Sequence, residues 1–566
     1  MKPILFKVQE LRLATTNYIK LDSSSSTSFR LEKQIEAKYD RIKRFRHKRI
    51  KLEETNAQLL VQHLKNFKSP HFHKTLDINI TLTLVWSNRQ QIFFILSQAI
   101  RRFSALRKLS LTIDFCLDLK MINFLLSKIK SQKHLVHLKI DLSKFYRISP
   151  TFLKNVIRLI RCQTNLENLN FALRKTPEQS FNDNLFPLFQ AFQRLYNLKH
   201  FTFSYFESIQ FKKFNQLDLP RKILSTLQNM SPSLTSLSLI LKSNSFSHPF
   251  LAELPRVITS IKNLTRLDLS LADTENLNDA HFTSCLLEEF NNKHSPKIVS
   301  LNLNNTLNGA SPKQIEALYL QTYKFLTTHP KIQQLNMKFT APSFFNGIKL
   351  GNILVSLKSL KNLTLRLDNS NDLILLQEIG KFNWLTTLNI IIEYELDTQI
   401  SGLLESLGNL TALQRLKLES KKSINEVYFQ RQDFWSLVNS LTKLKLLRHV
   451  TLWLPLKPGN SFEVQIARQE LDLITNYLTQ AECLETFVLK GTWNALQRNE
   501  LIALYKTFFI NLQRVNNFEF HISRLNSPII NFSEIFMNLQ YKYRHQLIKR
   551  QKRDSQFRLT IHDDDL

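Results

Sequence analysis

Glycine is scarce in this chain, at 8 of 566 residues, where globular proteins carry roughly 7%. Few positions are left at which backbone can wrap a phosphate or take a positive φ cheaply. No GxGxxG or GxxxxGK run occurs, and Gly402 and Gly408, the closest candidates for one, are followed by Asn409 rather than a P-loop lysine. Nucleotide hydrolysis is therefore disfavoured. Cysteine is equally sparse. Cys116, Cys162, Cys285 and Cys483 form no CxxC pair and have no obvious His partner in the sequence, so neither a zinc site nor a disulfide framework is expected. All four read as small core residues in a reducing compartment. Long apolar runs are missing too. The longest are short, such as Ile390-Ile391-Ile392, against the roughly 20 residues that span a bilayer, so no transmembrane segment is expected.

Catalytic signatures are also missing. HRD, DFG, GxSxG and HExxH do not occur. The histidine pairs His71/His73 and His134/His137 have no cysteine or carboxylate at ligand spacing. The expectation is a protein that is not an enzyme, with no catalytic residue, metal or cofactor. The residues before Asp22 hold a single acid, Glu10, among Lys2, Lys7, Arg12 and Lys20. They lack the apolar core of a secretory signal, and a mitochondrial presequence stands as an alternative to a nuclear or cytoplasmic location.

What the chain does have is 43% apolar residues, 11% aromatic residues and a length beyond that of one compact core. Several domains or a repeat array must follow. One pattern, apolar-x-x-apolar-x-apolar, returns fourteen times: at 106, 135, 166, 198, 234, 264, 298, 332, 360, 385, 413, 447, 484 and 515, with spacings of 25 to 37 residues. Between these motifs lie stretches of helical period, such as Met121, Phe124, Leu125 and Ile129, or Phe152, Val156, Leu159 and Ile160. Each unit reads as strand, loop, helix. Neither element closes a core alone, so neighbouring units must stack.

This pattern resembles the leucine-rich repeat family, and the long spacing looks like its ribonuclease-inhibitor-like class in a divergent form. The excess of Phe, Lys and Asn resembles the compositional bias of an AT-rich protist genome. The resemblance implies an α/β fold: a curved leucine-rich-repeat solenoid with parallel strands on the concave face and helices on the convex face. The chain departs from the family in that the Asn or Cys following the strand is mostly missing. Phe replaces Leu at inward positions including Phe171, Phe201, Phe203, Phe487, Phe518 and Phe520, as bulky core filler.

The expected plan is an N-terminal segment with a Ser-rich linker over 1–30, a basic helical region over 31–72, the solenoid over 73–540 and a basic C-terminal segment over 541–566. Period-two alternation at 76–86 and 557–562 predicts edge or capping strands. Leu31, Ile35, Tyr39, Ile42, Phe45 and Leu52 predict a helix over 31–52.

Excess positive charge, 77 Lys+Arg against 46 Asp+Glu, favours an anionic partner somewhere. Of the 42 strand positions expected on the concave face, 20 are Asn, Ser or Thr, eight are basic and four acidic. Such a nearly neutral hydrogen-bonding surface is closer to protein recognition than to a phosphate trough. Its candidate protein-binding residues are Arg266, Arg366, Arg415, Lys417, His449 and Trp453. Trp453 suits an interface anchor if exposed; burial in the extended LTLWLPL strand is the other reading. Basic clusters occupy the ends. Arg41, Lys43, Arg44, Arg46, Lys48 and Arg49, with Lys549, Arg550, Lys552 and Arg553, are candidate contacts to nucleic acid or an anionic surface. KRFRHKR and KRQKR also look like nuclear import signals. The expected function is a non-enzymatic scaffold or adaptor binding a protein partner. The alternative is a nucleic-acid-associated subunit of a ribonucleoprotein, contacting RNA or DNA through its basic ends.

Overall fold

The structure, a computed structural model, describes residues 47–52, 75–82, 107–113, 119–130, 134–143, 150–175, 182–207, 218–242, 248–271, 279–292, 298–304, 311–339, 347–367, 378–392, 401–420, 431–453, 473–492, 517–524 and 556–563. The chain divides into two compact units, Met1–Leu277 and Asn278–Leu566.

The first unit holds strands β1 (His47–Leu52), β2 (Thr75–Leu82), β3 (Lys108–Ile113), β4 (His137–Leu142), β5 (Asn168–Lys175), β6 (His200–Glu207), β7 (Ser236–Lys242) and β8 (Arg266–Ser270). Each pairs in parallel with the next. From β3 onward, helices alternate with the strands: α1 (Leu119–Ile129), α2 (Pro150–Arg161), α3 (Asn182–Gln193), α4 (Asp218–Met230) and α5 (His248–Ser260).

The second unit repeats the scheme. Its strands are β9 (Ser300–Asn304), β10 (Gln334–Phe339), β11 (Asn362–Leu367), β12 (Thr387–Ile392), β13 (Arg415–Ser420), β14 (His449–Trp453), β15 (Thr486–Thr492), β16 (Asn517–Arg524) and β17 (Gln556–Asp563), again parallel and in chain order. Its helices are α6 (Asp279–Asn292), α7 (Pro312–Thr328), α8 (Gly347–Ser356), α9 (Ser401–Leu407) and α10 (Arg431–Lys443). A further helix covers 473–480, and a 3₁₀ turn (Glu378–Lys381) lies between β11 and β12. Both units are thus α/β repeat solenoids.

All fourteen motifs form strands, each starting two residues after the motif's first apolar residue. That first residue is fully buried, as at Leu135, Leu166, Leu198, Leu264, Leu360 and Leu413. Side chains alternate across a strand, so the motif's other two apolar positions point the same way. Leu109, Leu138, Leu169, Phe201, Leu237 and Leu267 stand in register from β3 to β8, and all are buried. Burying each such side chain contributes about 1.5–3 kcal/mol.

Just before β4 to β8, and again before β10 to β15, a backbone link ties one repeat to the next. The amides of Glu167 and Asn168 both donate to the Val136 carbonyl, those of Lys199 and His200 to Glu167, and those of Thr235 and Ser236 to Lys199, at 2.8–2.9 Å. The second unit has the same link, with Lys361 and Asn362 on Gln333, Thr386 and Thr387 on Lys361, and Arg448 and His449 on Gln414. A repeat therefore completes its neighbour's hydrogen bonding as well as its apolar core.

Phenylalanine fills the gap between helix and sheet in the first unit. Phe192 of α3 meets Phe171 of β5 and Phe201 and Phe203 of β6 edge-on, with ring centroids 5.4–6.2 Å apart. Phe171 and Phe203 stack at 6.4 Å. Edge-to-face and offset arrangements are those that aromatic quadrupoles favour.

Several expectations are corrected. The helix predicted over 31–52 gives way at its end to β1, where Ile50 and Leu52 alternate at the strand period and take register opposite Ile78 and Ile80 of β2. Residues 31–46 lie outside the described residues. Phe124 is off the buried stripe of α1: Leu125, Leu126 and Ile129 are buried, while Phe124 is exposed with the Lys128 ammonium 4.8 Å above its ring. Nor are the cysteines uniformly core. Cys162 and Cys483 are exposed, and Cys285 lies 3.7–3.9 Å from the ring nitrogens of His281, one turn back on α6. Both predicted edge segments form strands, β2 and β17.

Candidate binding face

Alternation leaves one face of each sheet to the odd strand positions. On β4 these are His137, Lys139 and Asp141, each half-buried between fully buried neighbours. Hydrogen bonds lace the face across adjacent strands. Ser238 of β7 donates to the Asp268 carboxylate of β8 at 3.1 Å, Ser300 of β9 to the Gln334 side-chain carbonyl of β10 at 2.9 Å, and Asn389 of β12 to the Thr364 hydroxyl of β11 at 3.0 Å. Burial pushes the Asp268 carboxyl up from its ordinary range, while the Ser238 hydroxyl pulls it down. Among the described residues, no group of three or more His, Cys, Asp or Glu side chains is placed to hold a metal ion.

The six concave-face candidates are divided between the two units. Arg266 is exposed on β8 of the first unit, in register with Ser236 and two residues before Asp268. The other five belong to the second unit. Arg415 of β13 stands opposite His449 of β14, Lys417 opposite Thr451, and Glu419 opposite Trp453. Lys417 and Glu419 form an ion pair on the same strand. Trp453 is 41% exposed, which decides against the buried reading of that side chain. Arg366 of β11 joins the same row, which runs through Ile391, Glu419 and Trp453 to Lys490.

Two adjacent strands thus present two cations, an ion-paired carboxylate, an imidazole and an indole on one surface. Glu419 did not figure among the sequence candidates. Its signal was present, since a residue two positions from Lys417 on a strand must share its face.

The basic terminal candidates are less evenly placed. Lys48 and Arg49 lie on β1, in register with Leu76 and Asp77 of β2. Arg41, Lys43, Arg44, Arg46, Lys549, Arg550, Lys552 and Arg553 lie outside the described residues. Cys285 and His281 have the look of a nucleophile and base, but burial and the charges of Glu288 and Glu289 push the thiol up. A thiol held protonated is a poor nucleophile. Among the described residues, no helix is long and apolar enough to cross a membrane.

No family model and no curated protein matches the chain.

Proposed function

We propose that the chain is a non-enzymatic scaffold of leucine-rich-repeat type, nearest the ribonuclease-inhibitor-like class, that binds a protein partner through the strand face of its second unit. The observation that carries this reading is the exposed Trp453 beside His449, Arg415 and the Lys417–Glu419 pair. A solvated indole flanked by charges of both signs has the composition of an interface hot spot, where Trp and Arg dominate and truncation costs about 2 kcal/mol or more. The Asn, Ser and Thr positions around it supply adaptable hydrogen bonds. The sequence signs of a reducing compartment fit a partner in the nucleus or cytoplasm.

The test is purification of the tagged chain from native extract after nuclease treatment, comparing wild type with a Trp453→Ala/Arg415→Ala variant of equal thermal stability. A protein retained by the wild type and depleted about tenfold or more in the variant is expected. Equal recovery from both would remove this patch from the function.

A second reading is favoured by the net charge of +31. The chain then serves as a nucleic-acid-associated subunit whose terminal basic clusters touch RNA or DNA.

A further inference from the structure

A strip of positive charge lies on neither the strand face nor the chain ends. In the second unit, the turns that lead from a helix into β10, β11 and β14 carry Lys331, Lys358, Lys361, Lys443, Lys445 and Arg448, all exposed. The turn residues 329–333, 357–361, 381–386, 408–414 and 443–448 contain no Asp or Glu. Backbone links place these turns side by side, running through Gln333, Lys361, Thr386, Gln414 and Arg448. The strip therefore follows the strand-entry edge of the sheet over β10 to β14. At a strand spacing of about 4.8 Å, its length is roughly 20 Å. Glu485, paired with Arg448 at 3.4 Å, bounds it on the β15 side.

Helix-end electrostatics do not account for the strip. A cation near a helix C-terminus is stabilising only within the last turn, which fits Lys443 on α10. Lys331, Lys361 and Lys445 lie beyond the ends of α7, α8 and α10, at Thr328, Ser356 and Lys443. Among the described residues none of the three has an acidic partner. Lys358 stands 3.8 Å above the Trp384 ring of the next turn, and the turn before β14 presents Leu446, half-exposed. Apolar and π surface is thus interleaved with the charge.

We propose that this strand-entry edge binds the backbone of a single-stranded nucleic acid. A linear strip of one sign complements a linear polyanion. Irregular spacing of long-stemmed lysines suits a ligand that carries a charge on every unit, and the interleaved apolar surface suits unstacked bases. The strip is independent of the strand-face patch, so the two readings stand or fall separately.

The test measures binding of the full chain to a labelled 20-nucleotide oligouridine over a salt series. It is done in a background in which Arg41, Lys43, Arg44, Arg46, Lys48, Arg49, Lys549, Arg550, Lys552 and Arg553 are replaced by Gln. Binding is expected to persist there and to fall tenfold or more when Lys331, Lys358, Lys361, Lys443 and Lys445 are also changed to Gln. The slope of log affinity against log salt should become shallower by about 0.7 for each phosphate that is no longer neutralised. Changing the same five lysines to Arg should keep the affinity, which separates charge from any structural role of the stems, even should the Gln variant fold poorly. Loss of binding with the terminal substitutions alone, or unchanged binding after the edge substitutions, would overturn the proposal. Polyglutamate bound as tightly as the oligouridine would overturn it in favour of an acidic polypeptide.

Discussion

Gln163 is fully buried, and among the described residues neither its side-chain oxygen nor its nitrogen has a partner. Its backbone carbonyl accepts from the Leu166 amide in the turn before β5. The equivalent bond runs from Leu198 to Leu195, Leu264 to Ile261, Leu360 to Leu357, Leu385 to Phe382, Leu413 to Leu410 and Leu447 to Leu444. Gln163 thus occupies a site that is apolar in those six repeats. A buried amide without partners costs about 1–3 kcal/mol, so Gln163→Leu should raise unfolding stability by an amount of that order, read as an upward shift in the urea midpoint. No shift, or a fall, would mean that the amide is satisfied in solution. This position was legible in the sequence, because extending the repeat three residues backward gives apolar-x-x-apolar-x-x-apolar-x-apolar in most units. The six-residue motif starts one apolar position too late to include it.

Elements were legible where local period and packing agree. Fourteen strand motifs produced fourteen strands, because an alternating triplet such as Leu234, Leu237 and Leu239 has only one way to bury every apolar residue. Local period misled where it did not decide packing. The stripe read through Phe124 extends past the width that α1 buries, and residues 47–52 fit the strand period as well as the helical one.

Repeat length marks another feature. In the shortest interval, 25 residues between the motifs at 360 and 385, the described residues include the 3₁₀ turn Glu378–Lys381. Gly380 in that turn approaches α9 so closely that an added Cβ would lie 3.0 Å from the Ser406 carbonyl oxygen. At Gly408 the nearest atom is Cδ of the flexible Lys443 side chain. Gly380→Ala should therefore cost about 1–3 kcal/mol through overpacking against backbone, while Gly408→Ala should cost clearly less. Urea unfolding of both variants checks the order, and equal costs would refute the packing argument.

At the scale of the molecule, fold and function are read from different residues. Apolar repeats dictate a parallel α/β solenoid, and almost any polar residue fits the positions they leave over. The binding patch was therefore only partly visible in the sequence. Alternation put Arg415, Lys417, His449 and Trp453 on one face, but the pairing of β13 with β14 was needed to bring them together. The strand-entry charge was not legible, because Lys331, Lys358, Lys443 and Lys445 precede the repeating motif and Lys361 and Arg448 occupy its unconstrained second position.

The central claim is that the strand face of the second unit meets a protein. The most direct measurement places a photo-crosslinking amino acid at Thr451, in the middle of the patch, and in a second variant at Leu320, which is 62% exposed on α7. After irradiation in native extract and nuclease digestion, the account predicts a discrete protein adduct from position 451 and none from position 320. Adducts from 320 alone, or an adduct at 451 that nuclease removes, would contradict it.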